Sequence, residues 1–139
     1  SSLRATPLDP DVLTALLAAE FARAGGDVEA AAAHALVAAK ALRDVALSEN
    51  AVEAALQAGD AFRAAAALQR WQALAPDSPR RDALALRFHV VQGDDDLAVD
   101  TALRLLGEPD GLATLTTGLE APYPDGGVIA RAVLRALLV

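Results

Sequence analysis

The chain has 139 residues, is 54% hydrophobic but only 4% aromatic, and carries a formal net charge of −7. That acidity disfavours phosphate backbones, the apolar content excludes intrinsic disorder, and the absence of cysteine excludes disulfides, thiolate nucleophiles and zinc–thiolate sites. Alanine (35 residues) and leucine (23), the strongest helix formers, dominate over the β-branched and aromatic residues, which excludes an all-β fold.

Taken in chain order, the pattern predicts helices at about 10–24, 28–42, 48–57, 61–74, 79–91, 95–106, 110–119 and 127–138. The first carries Leu13, Leu16, Leu17 and Phe21 at helical spacing and stops at Gly26-Asp27. The second runs from Val28 to Leu42 and ends weakly at Arg43-Asp44. Val52, Ala55 and Leu56 mark the third, closed by Gly59-Asp60, and Phe62 to Leu74 the fourth. Pro76-Asp77-Ser78-Pro79 reads as a turn and restart. Leu84, Leu86, Phe88 and Val91 mark the fifth helix, which ends at Gly93-Asp94, and Leu97 to Leu106 the sixth. Gly107-Glu108-Pro109-Asp110 is another turn, and the Pro-rich Ala121–Asp125 makes the last pair the least regular. No apolar run reaches the roughly 18 residues of a membrane span.

The glycines repeat. Gly26, Gly59, Gly93 and Gly127 stand 33, 34 and 34 residues apart, each followed five residues later by an alanine: Ala31, Ala64, Ala98 and Ala132. Glycine suits the left-handed residue that ends one helix, and the Asp after each of the first three suits the cap of the next. Four helical hairpins of about 34 residues therefore follow: an all-α, solenoid-like array with pairs at about 10–43, 44–77, 78–108 and 109–139, preceded by a linker over 1–9.

With that period in hand, the chain resembles the tetratricopeptide repeat (TPR) family. Counting each hairpin glycine as repeat position 15, the family's small residue at position 20 falls on the four alanines, its small residue at position 8 on Ala19, and its proline at position 32 on Pro76. Val52 and Leu86 at position 8, His89 at position 11, and Trp71 where a small residue is usual depart from the pattern. More narrowly, Ala19-Glu20-Phe21-Ala22, Arg43-Asp44 and Trp71–Pro76 are similar to proteobacterial outer-membrane TPR lipoproteins, adaptors that present substrates to a carboxyl-terminal processing protease. The resemblance implies a non-enzymatic scaffold in the periplasm or at the outer membrane, with a protein or peptide partner. It also implies a concave groove lined by the first helix of each pair. Carried onto this chain, the groove takes Leu13, Leu16, Glu20, Arg23 and Ala24, then Ala46, Glu49, Glu53, Leu56 and Gln57, then Arg80, Ala83, Arg87, Val90 and Val91. In it, Leu56 and Val90 would hold apolar anchors and Arg87 a carboxylate. The competing reading makes Glu49, Glu53 and Arg87 ordinary solvated helix charges.

No residue pattern carries catalysis or a cofactor. There is no phosphate loop, nucleophile elbow or H-E-x-x-H, and His34 and His89 lack a second ligand at helical spacing. Asp94-Asp95-Asp96 reads as a helix start rather than a cation site, and Trp71 as core packing or, alternatively, an interaction anchor. Arg80-Arg81 with Arg87 is too small a basic cluster for nucleic acid. The last helix, 128–139, is apolar on nearly every side. Val133, Leu134, Leu137 and Leu138 are therefore a candidate assembly face for a second copy, or the chain is a segment of a longer one. A self-association module and a helical regulatory region of a larger protein stay open beside the scaffold reading.

Overall fold

The computed structural model describes residues 9–114. Among these residues the chain is all-α, with no strand and six complete helices, α1 (Pro10–Ala24), α2 (Val28–Ala41), α3 (Val45–Ala58), α4 (Ala61–Leu74), α5 (Pro79–Val91) and α6 (Asp95–Leu106), followed by helical residues at 111–114. The predicted fourth hairpin, with Gly127 and the assembly face Val133, Leu134, Leu137 and Leu138, lies outside the described residues apart from its first few positions.

The hairpin turns are built alike. Gly26, Gly59 and Gly93 adopt φ of 79°, 67° and 73°, the left-handed region that side chains resist. At each turn the glycine N–H donates to the carbonyl three residues back, on Arg23, Leu56 and Val90. The aspartate N–H after it donates five residues back, to Ala22, Ala55 and His89, each at 2.9 Å. That pair of bonds is the Schellman closure, which satisfies carbonyls at a helix end. The same aspartates then open the next helix, Asp27 accepting from the Ala30 N–H, Asp60 from Arg63 and Asp94 from Leu97. Two residues thus stop one helix and start another. At Asp60, the backbone N–H and guanidinium of Arg63 hold the carboxyl below its usual range.

Between hairpins the chemistry differs. Ser78 caps α5 by accepting from the Arg81 N–H, with Pro79 as the first helical residue. At the weak break the Asp44 carboxylate accepts from the Ala46 N–H, so α3 begins at Val45, three residues before the predicted start. One side-chain carboxylate suffices there without glycine or proline.

The chain divides into two compact units, Ser1–Arg70 and Trp71–Val139, with the boundary inside α4. In the first unit α2 packs against both α1 and α3. Its core is built mostly from alanine: Ala15, Ala31, Ala32, Ala38, Ala39, Ala51, Ala55, Ala64 and Ala67 are buried, with Val12, Leu36, Val52 and Leu68 the larger members. On α1 the packed side is the small one, Val12 and Ala15, while Leu13, Leu17 and Phe21 stay 45%, 51% and 77% exposed. Arg70 of α4 reaches across to the open end of α2, donating from Nε to the Ala39 carbonyl and from Nη2 to the Leu42 carbonyl, each at 3.1 Å. A cation is favoured at that end by the helix dipole, and the bonds satisfy carbonyls that the helix itself leaves open. Replacing Arg70 by Met keeps the aliphatic stem and removes both bonds. The expected cost is about 1.5–3 kcal/mol in urea unfolding, the range for hydrogen bonds that involve a charged group. An unchanged midpoint would show that solvent replaces the guanidinium there.

In the second unit α5 packs against α6 around Ala83, Leu86, Ala98, Ala102 and Leu105, with Val90 at the edge. Asp82 is 9% exposed, and its Oδ1 accepts from Arg81 Nη2 at 2.7 Å and Arg104 Nη2 at 3.3 Å, tying α5 to α6. Gly111 follows at a backbone crowded against α6. A Cβ there would overlap the Leu105 carbonyl oxygen and lie 2.6 Å from its carbon, so only glycine fits without a shift.

Candidate functional site

Three consecutive helices of the first unit enclose a concavity of about 400 Å³. α1 supplies Leu16, Ala19, Glu20 and Arg23, α2 supplies Ala31 and Ala35, and α3 supplies Leu47, Asn50, Glu53, Ala54 and Gln57. On α1 and α3 these residues form a stripe beside the buried one, whereas on α2 Ala31 belongs to the buried residues as well. On α3 the buried stripe is Ser48, Ala51, Val52 and Ala55, and Leu47, Asn50, Ala54 and Gln57 run alongside at i, i+3, i+7 and i+10.

The lining joins small apolar surface to polar groups. Ala19, Ala31, Ala35 and Ala54, with Leu16 and Leu47, have no side-chain hydrogen-bonding atoms. Around them stand one ion pair, between the Arg23 guanidinium and the Glu20 carboxylate one turn earlier on α1, a second carboxylate from Glu53, and the primary amides of Asn50 and Gln57. Both members of the Glu20–Arg23 pair are well exposed, so the pair is screened and exchangeable. Each amide offers donors and an acceptor, the inventory that complements a peptide backbone. The combination suits apolar anchors flanked by hydrogen-bonding groups.

Of the residues expected in a groove, Leu16, Glu20, Arg23, Glu53 and Gln57 line the concavity together. Glu49 and Leu56 lie on α3 but not in its lining, which takes Leu47 and Asn50 where the family register has Ala46 and Glu49, while Glu53 and Gln57 keep their expected places. A one-residue shift turns a helix face by about 100°. Leu13, Ala24 and Ala46 are exposed and also outside the lining. Ala19, Ala31 and Ala35 were not anticipated. Alanine occupies so many positions that no periodicity distinguishes a floor from a core.

Arg80, Ala83, Arg87, Val90 and Val91 stand on α5, in the second unit. Arg80 and Val91 are exposed there, but Ala83 belongs to the core and Val90 packs against it. Arg87, expected to meet a partner's carboxylate at the surface, is corrected by the structure: it is 3% exposed. The packed side of α5 is broad, running unbroken from Asp82 to Arg87, and it takes the arginine in with its neighbours.

The remaining candidates resolve as structure. Asp94 is the cap of α6, with Asp95 and Asp96 in its first turn, where the dipole favours negative charge. Among the described residues no cluster of three or more His, Asp or Glu side chains is arranged to hold a metal ion, and no helix is long and apolar enough to cross a membrane. Trp71 is 1% exposed, a core residue. His34 lies half-buried on α2, and His89 half-buried on α5 beside the Phe88 ring, at a centroid distance of 5.7 Å.

Burial pulls the His89 imidazole below its ordinary value of 6.5; Asp94 opposes the shift, and Arg104 and Arg81 add to it. The folded chain therefore keeps His89 neutral where the unfolded chain takes up a proton. The resulting stabilisation is complete above about pH 6.5 and declines as the pH falls below that value, until the folded imidazole itself titrates. Urea midpoints measured at about pH 7.5 and about pH 5.5 should differ more for the wild type than for His89→Gln. Equal differences would place the acid sensitivity on other groups.

The chain matches no family model, and no characterised protein matches it either.

Proposed function

We propose that this chain is a non-enzymatic protein-binding module whose first unit seats a peptide segment of a partner in the α1–α2–α3 concavity. The observation that carries the reading is the lining itself: an alanine floor able to take apolar side chains, bordered by Asn50 and Gln57 amides and by charges of both signs. Helix-lined grooves hold peptides through such alternation of apolar anchors and polar fixing groups. A volume of about 400 Å³ admits a few side chains and not a folded domain. The resemblance to TPR arrays favours the same reading. The narrower proposal, an adaptor for an envelope protease acting in the periplasm, rests only on the short segments similar to that lipoprotein family.

Panning a displayed library of random peptides on the purified chain tests this. Selected peptides are expected to carry apolar anchors and to bind with micromolar dissociation constants, about −8 kcal/mol. Ala54→Arg, which fills the floor, and Asn50→Arg, at its exposed border, should each weaken them at least about tenfold, a change of about 1.4 kcal/mol, while far-UV circular dichroism stays unchanged. Exposed Leu103→Arg on α6 should have no effect. Peptides indifferent to Ala54 and Asn50 would overturn the site, and a mass that rises with concentration in the absence of peptide would favour self-association instead.

A further inference from the structure

We draw no further inference here: the strongest candidate, the exposed apolar stripe of Leu13, Leu17 and Phe21 along α1, carries nothing because nothing in the structure shows what covers it.

Discussion

Truncating Trp71 to alanine is expected to remove about 3–5 kcal/mol of stability. Trp71 is the chain's one tryptophan and the largest of its fully buried side chains, at 1% exposure. Such a deletion loses the transfer free energy of the ring and leaves a cavity that neighbouring helices fill only in part. Against a total stability of about 5–15 kcal/mol for a domain, that loss is a large fraction of the whole. Urea unfolding followed by far-UV circular dichroism measures this, since the substitution deletes the fluorophore. Trp71→Phe sharpens the argument. The indole N–H finds no hydrogen-bond partner among the described residues. Phenylalanine removes that buried donor, whose burial costs about 1–3 kcal/mol, and so regains part of what the lost volume takes away. Phe should therefore lie much closer to the wild type than Ala does. A loss below about 1 kcal/mol for the alanine variant would mean that the site collapses fully around the missing ring.

Enlarging the first unit's core should also be destabilising. Ala38 is 0% exposed on α2, the helix that packs against both α1 and α3. Alanine and leucine are both strong helix formers, so Ala38→Leu changes little in the helix itself. It adds three carbons at a fully buried position, and overpacking of this kind costs about 1–3 kcal/mol, occasionally more. Val37 stands one residue earlier and is 55% exposed. Val37→Leu should stay within about 0.5 kcal/mol of wild type, as surface changes do. The pair, compared by thermal unfolding, separates packing from propensity. Stabilisation by Ala38→Leu would reveal a void beside α2 and would count against a close-packed alanine core.

The helices and their turns were legible in the sequence because each boundary is written locally. Gly59-Asp60 needs only the glycine's left-handed φ and the aspartate's short carboxylate, and both are visible in two letters. The start of α3 was harder to place because Asp44 caps it alone, with no glycine beside it. The concavity was half legible. α1 kept the expected register through Leu16, Glu20 and Arg23, whereas α3 turned Asn50 rather than Glu49 toward it. Two features had no local sign. The Arg70 bonds to Ala39 and Leu42 span 31 and 28 residues, and nothing near Arg70 in the sequence points to them. Arg87 is buried against the strong tendency of arginine to stay at the surface.

The alanine core also fixes how stability responds to temperature. Unfolding raises the heat capacity through newly wetted apolar surface and lowers it through newly wetted peptide groups. A core in which Ala32, Ala38, Ala39, Ala55 and Ala67 are all 0% exposed releases little apolar area per residue but as much backbone as any other helix. The heat-capacity increment should therefore fall below the usual value of about 12–15 cal/mol/K per residue. The stability curve of such a chain is flat, changing slowly with temperature on either side of its maximum and drawing cold and heat denaturation far apart.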